Sequence, residues 1–276
     1  MISINTNYGG LYSAKAAQQS QSSVDQAMER LSTGKRINYA KDDAAGQAIA
    51  TRLTAEIQGL SMASRNAADG QSMLDTADGA LQETHNLLLR MRELAVQSAN
   101  GTLQASDRTA LGAEFDALEA EITRISDNTS WAGTKLLDGS LSSGVTFHVG
   151  SGASQTITHS IPEMAASAAT MGIVAAVAIT DVTKANSAIG QLDVAIAGVS
   201  KERAEIGAVS NRLDATISNL NQVKVNLSSS KGRIEDADFA QETSNLAKGQ
   251  ILQQAATAML AQANSSQSTV LTLLRG

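Results

Sequence analysis

The strongest order in the chain is a repeat of apolar positions at alternating steps of three and four. From Leu74 it runs through Ala77, Leu81, Thr84, Leu88, Met91 and Ala95, the spacing of a heptad seam along one side of a long helix. A second seam follows the short stretch NGTLQAS, at Leu111, Phe115, Leu118, Ile122 and Ile125. Two helices joined by so short a connection are expected to pack antiparallel. A third seam occupies Ile206, Val209, Leu213, Thr216, Leu220, Val223 and Leu227, in a helical pattern that resumes near Lys184. Near the N-terminus, residues 11–32 place Leu11, Ala14, Val24, Met28 and Leu31 on one helical side among Gln, Ser and Ala, a thinner stripe. That helix is expected to stop at Gly34, with Asp42 or Asp43 capping the next one from Ala44. A last helix covers about Phe239 to Ala263, and the tail STVLTLLRG follows it.

Between the second and third seams the pattern changes. Residues 130–165 are rich in Gly, Ser and Thr, and VTFHV and QTITHSI alternate across GSGAS, which predicts a small β-hairpin around 140–162. The layout is an N-terminal arm (1–44), a middle helical domain carrying the hairpin (45–235) and a C-terminal arm (236–276). Pairing of the arms would bring both termini to one end, yet neither terminal stripe is broad enough to close a core. The expected fold is mainly α, a long antiparallel helical hairpin or coiled-coil bundle with a small β-hairpin insertion.

Composition supports this picture. Of 276 residues 42% are hydrophobic but only 3% aromatic, so the apolar side is Ala, Leu, Ile and Val, which suits closely packed helices. A single proline, Pro162, leaves long helices uninterrupted. There is no cysteine, hence no disulfide and no thiolate metal site. The net charge of -6 argues against nucleic acid as a partner. The start MISINTNYGGLYSAK lacks the basic and apolar regions of a secretory signal, and no apolar run is long enough to span a bilayer.

Catalytic chemistry finds no footing. His85, His148 and His159 are far apart with no ligand spacing, and read as helix-surface or hairpin residues. STGKR around Gly34 fails as a phosphate loop and reads as a turn. EDADFAQE has Ala240 and Gln241 where a calcium loop needs an oxygen ligand and glycine, so its acids are expected to cap the last helix. The reading is of a protein that is not an enzyme and carries no cofactor.

The residues still unexplained carry a resemblance. SINTN (Ser3–Asn7), ERLSTGKRINYAKDDAAGQAIATRL (Glu29–Leu53), MRELAVQSANGT (Met91–Thr102), RIEDADFA (Arg233–Ala240), QILQQAATAMLAQAN (Gln250–Asn264) and VLTLLRG resemble bacterial flagellin. The resemblance covers roughly residues 1–140 and 185–276, in order and at matching distances from each end. Larger flagellins carry extra outer domains, whereas here only residues 130–184 lie between the arms. The implied molecule is a minimal subunit: an inner coiled coil of both termini, a spoke around 33–46 and 229–238, and an outer helical domain.

Polymer physics points the same way. Arms with thin stripes do not offset their own ordering entropy in a monomer, but stripes stacked on those of neighbouring copies do. A repeated contact whose rotation does not close yields an open helical filament. The candidate assembly residues are Leu11, Val24, Met28, Leu31, Ile251, Leu252, Met259, Leu260, Val270, Leu271, Leu273 and Leu274. The resemblance also implies an extracellular filament used for swimming, export by the flagellar export machinery with an export chaperone and no cleaved signal, and contacts with filament cap and hook junction proteins. In flagellins that vertebrate Toll-like receptor 5 detects, a motif like RMRELAVQ and a glutamate on the next helix form the contact. Here they correspond to Arg90, Leu94 and Glu114, with Leu89 where such flagellins often have Gln. Arg90 and Leu94 are spaced to share a helix face; the competing reading makes the two charges solvated and Leu94 packing. The rival functions are a hook–filament junction protein and a soluble coiled-coil adaptor.

Overall fold

The computed structural model describes residues 6–166 and 177–273, for residues 270–273 the backbone only. The helices are α1 (Tyr8–Thr33), α2 (Ala44–Ser98), α3 (Ala105–Asn128), α4 (Val182–Glu235) and α5 (Phe239–Leu273). The strands are β1 (Ser130–Trp131), β2 (Thr134–Lys135), β3 (Val145–His148) and β4 (Thr156–His159). Local chemistry sets the boundaries. Gly34 ends α1 in the left-handed conformation, φ 69°, and its N–H reaches the Arg30 carbonyl. Asp43 Oδ1 accepts the Gly46 N–H at 2.8 Å to start α2, and Asp238 Oδ1 accepts the Ala240 N–H at 2.9 Å to start α5.

The chain divides into two compact units, Met1–Ala55 with Val225–Gly276, and Glu56–Lys224. The divisions fall inside α2 and α4, so residues 45–55 and 225–235 go with the termini, where the sequence reading set its boundaries at 44/45 and 235/236.

The middle unit is the well-packed one. Leu74, Ala77, Leu81, Thr84, Leu88, Met91 and Ala95 are all buried, as their spacing requires. The α2–α3 pair is antiparallel: Arg90 meets Glu114, and Arg108 reaches back to the Ser98 carbonyl. α4 also runs antiparallel to α2, with Arg92–Asp193 at 2.6 Å, Asp78–Arg203 at 2.7 Å and Gln71 on Asp214 at 2.9 Å. The α4 seam starts earlier than the apolar pattern announced, at Ala185, Ala188, Leu192, Ala195 and Val199, and continues through Ile206, Val209 and Leu213. The expected hairpin forms, with Phe147 opposite Ile157 and both side chains buried.

Several expectations are corrected. Leu11 and Met28 are 61% and 55% exposed, off the side of α1 that is covered. Thr216 is only half-buried and bonds its own helix at the Arg212 carbonyl, so it is no core position. The last helix runs on to Leu273 rather than ending at Ala263. The β1–β2 ribbon was not anticipated. His159 is a hairpin residue, the last of β4, but it is not on the surface: it is buried 3.3 Å from buried Glu202.

Candidate assembly surface

In the terminal unit α1 and α5 lie antiparallel. Asn7 Nδ2 donates to the Ala263 carbonyl at 3.3 Å, Gln253 bonds Gln21, and Arg30 pairs with Glu242 at 2.9 Å. The covered face of α1 is Gly10, Ser13, Ala17, Ser20, Val24, Ala27 and Leu31; that of α5 is Glu242, Leu246, Gly249, Gln253, Ala256, Leu260 and Ala263. Both are unbroken steps of three and four, yet they are made largely of small and polar residues. The backbones accordingly come close: a Cβ on Gly249 would sit 2.7 Å from Val24 Cγ2. Where the chain enters and leaves this pair, Lys35 and Asp236 form an antiparallel bridge, and the Arg36 guanidinium donates to the Ile234 carbonyl at 2.9 Å.

Most of the larger apolar side chains lie off this covered face. Tyr8, Leu11, Tyr12 and Met28 on α1, with Phe239, Ile251, Leu252 and Met259 on α5, are exposed; Ile251 reaches 67%. Of the predicted assembly residues, Val24, Leu31 and Leu260 therefore serve the α1–α5 seam, while Leu11, Met28, Ile251, Leu252 and Met259 are free to meet another molecule. Leu274, and the side chains of Val270, Leu271 and Leu273, lie outside the described residues. A groove between the helices, lined by Ser20, Ala27, Arg30, Glu242, Gly249 and Leu252, opens on the same unit. Burial of each large apolar side chain is worth about 1.5–3 kcal/mol, so covering these exposed residues favours contact with another molecule.

The second predicted site is only half on the surface. The Arg90 guanidinium bonds Glu114 at 2.8 Å and Glu93 at 3.0 Å, and these contacts, Glu114 first, hold it above its ordinary value. Leu94 is 1% exposed and belongs to the core of the middle unit, so it does not share an exposed face with Arg90. The sequence reading missed Arg108, whose buried guanidinium donates to the carbonyls of Ser98, Asn100 and Leu103 at 2.9, 2.7 and 2.9 Å. A lone Arg in the first turn of a helix gives no pattern by which to find such a clamp. Among the described residues no group of three metal-ligating side chains converges, and no helix is long and apolar enough to cross a membrane.

Comparison with known proteins agrees with this geometry. Residues 4–142 match the bacterial flagellin N-terminal helical region, and residues 189–274 the bacterial flagellin C-terminal helical region. A flagellin of Halalkalibacterium halodurans is 47% identical over 90% of this chain and 91% of its own. The flagellar filament 33 kDa core protein of Treponema phagedenis is 40% identical over 99% of both chains. The crystal structure of Bacillus cereus flagellin superposes with a TM-score of 0.51 at 33% identity, over 56% of this chain and 88% of that one. With both helical regions matched in order and relatives this similar over nearly their whole length, the chain belongs to the bacterial flagellin family.

Proposed function

We propose that this protein is the structural subunit of a bacterial flagellar filament, and that its copies join through the outward faces of α1 and α5. The observation that supports the joining surface is the distribution in the terminal unit: the face towards the partner helix is made largely of small and polar residues, while Leu11, Met28, Ile251, Leu252 and Met259 are exposed. A neighbouring copy presents the same faces, so one contact covers both, and repetition without closure builds a helical polymer. Val270, Leu271, Leu273 and Leu274 extend the C-terminal stripe and join the same contact.

Filament membership carries the rest of the reading. The subunit is extracellular, passes through the flagellar export machinery with its chaperone and without a cleaved signal, and meets cap and hook junction proteins at the filament's ends. It works as a structural element and not as an enzyme. Recognition by Toll-like receptor 5 would rest on exposed Arg90 and Glu114, with Leu94 holding α2 in place beneath them.

Seeded sedimentation tests the assembly surface. Ile251→Asp and Leu273→Asp each put a charge where water would be excluded, at a cost of several kcal/mol per subunit, on the order of 3–5. Both variants are expected to stay in the supernatant while wild type pellets as long filaments in negative stain, with circular dichroism unchanged in each soluble subunit. Equal pelleting of wild type and both variants would remove the α1 and α5 outer faces from assembly.

A further inference from the structure

The connection between α2 and α3 contains the one Asn-Gly pair in the sequence, Asn100–Gly101. An Asn side chain can be attacked by the main-chain nitrogen of the next residue, and glycine, with no Cβ, hinders that attack least. Helices prevent the reaction by tying that nitrogen into their hydrogen bonds, as at Asn186 in α4 and Asn264 in α5. Asn100 and Gly101 are instead exposed and outside any helix, and a Cβ on Gly101 would meet nothing within 4 Å.

The surroundings do more than permit the reaction. The attacking species is the deprotonated Gly101 nitrogen, whose negative charge is shared with the Asn100 main-chain oxygen. That oxygen accepts from Arg108 Nη2 at 2.7 Å and from the Leu103 N–H at 3.4 Å. The Arg108 side chain is buried, donates otherwise only to the Ser98 and Leu103 carbonyls, and has no carboxylate paired with it among the described residues. Its charge is therefore available to the peptide that must ionise. The second developing charge falls on Asn100 Oδ1, which already accepts the Thr102 N–H at 3.2 Å. That bond also folds the side chain back over the Asn100–Gly101 peptide.

We infer that Asn100–Gly101 is a self-modification site, at which Arg108 and the Thr102 N–H promote cyclisation of Asn100 and its conversion to aspartyl and isoaspartyl forms. The Gly101 nitrogen gives its proton to solvent hydroxide and bonds to Asn100 Cγ. The tetrahedral intermediate expels the side-chain nitrogen, which leaves as ammonia after taking a proton from water, and a five-membered succinimide remains. Water then adds to one of the two imide carbonyls. Breaking the bond from nitrogen to Cγ gives the ordinary aspartyl link, and breaking the bond to the main-chain carbonyl carbon gives the isoaspartyl link. One water is consumed and one ammonia released overall, with no change of oxidation state. The isoaspartyl link adds a methylene to the main chain between the Ser98 and Leu103 carbonyls that Arg108 spans, so an aged subunit loses the clamp over the end of α2.

The test follows the tryptic peptide that starts at Glu93, residues 93–108 in wild type and 93–124 in Arg108→Gln, whose sole Asn in either case is Asn100. Full-length wild-type chain and a synthetic peptide of the same residues are held at mildly alkaline pH. Mass spectrometry then reads the exchange of NH2 for OH, and isoaspartate methyltransferase labels the isoaspartyl product. The folded chain is expected to convert about tenfold faster than the peptide, the effect of one charge-assisted hydrogen bond on a developing anion. Arg108→Gln, verified as folded by circular dichroism, is expected to fall to the peptide's rate, with Arg108→Lys between the two. Gly101→Ala slows chain and peptide alike by about tenfold. A folded wild-type chain that converts no faster than the peptide overturns the inference, and so does an undiminished rate in folded Arg108→Gln.

Discussion

Four residues separate Arg90 from Leu94 on α2, and their surroundings are opposite: the guanidinium reaches outward to Glu114 while the leucine is sealed in the core. Their substitutions should therefore part. Leu94→Ala leaves a cavity and is expected to cost the middle unit about 2–5 kcal/mol in urea unfolding. Arg90→Ala removes exposed ion pairs worth about 0–1 kcal/mol. A loss of Toll-like receptor 5 signalling in Arg90→Ala, at unchanged stability, would support a direct contact, whereas the same loss in Leu94→Ala would report on folding. Glu119 on α3 is another informative residue, because burial and then the nearby Asp116 carboxylate raise its pKa above 4.5. A carboxyl raised on folding weakens the fold above its folded pKa, and the penalty disappears as pH falls below the unfolded value. Glu119→Gln is thus expected to raise the urea midpoint at neutral pH, with the difference from wild type shrinking towards acid. A constant difference across pH would show that charge is not the cause.

At the scale of elements, the contrast is between two kinds of heptad seam. The α2 seam carries Leu and Met and closes a core with α3, α4 and the hairpin. The α1–α5 seam carries Gly, Ser, Ala and Gln, and among the described residues the hydrophobic side chains it buries are Val24, Ala27 and Ala256. Paired helices with so little buried apolar area stand near the limit of independent stability. Limited trypsin digestion of soluble subunits should cut at Lys15, Arg30 and Lys248 before the middle unit yields. Gly249→Val puts side-chain carbon into Val24, an overpacking that costs about 1–3 kcal/mol, so it should speed those three cuts and leave the middle unit's cuts unchanged. Unaltered cleavage would mean that α1 and α5 are not held by that seam.

For the molecule as a whole, assembly and folding of the termini are linked, since anything that binds only the ordered arms stabilises them by mass action. The middle unit already has its core and gains little from neighbours, whereas the terminal unit exposes Leu11, Met28, Ile251, Leu252 and Met259 until other copies cover them. Hydrogen exchange should therefore show α1 and α5 fast in the subunit and slow in the filament, with the buried amides of α2 around Leu81–Met91 slow in both. Equal protection of α1 and α5 in the two states would place the stabilisation of the arms within the single chain.

What the sequence determined by itself is the set of features with local causes. Heptad spacing from Leu74 to Ala95 specifies a buried seam whatever it packs against, alternation in VTFHV and QTITHSI specifies the hairpin, and Gly34, Asp43 and Asp238 punctuate helices by their own backbone and side-chain chemistry. Tertiary structure decided the features that depend on what lies opposite. On α1 a stripe of Leu11 and Met28 and a stripe of Ser13, Ala17 and Ser20 both have helical spacing, and only the close approach of α5 at Gly249 selects the small residues. The polar run after Ala263 hides the continuation of α5 to Leu273 because Asn, Ser, Gln and Thr there offer no apolar period to read. The burial of Leu94, the early α4 seam at Ala185 and Ala188, and the contact of His159 with Glu202 likewise arise from helices and strands distant in the chain, whose meeting no local period encodes.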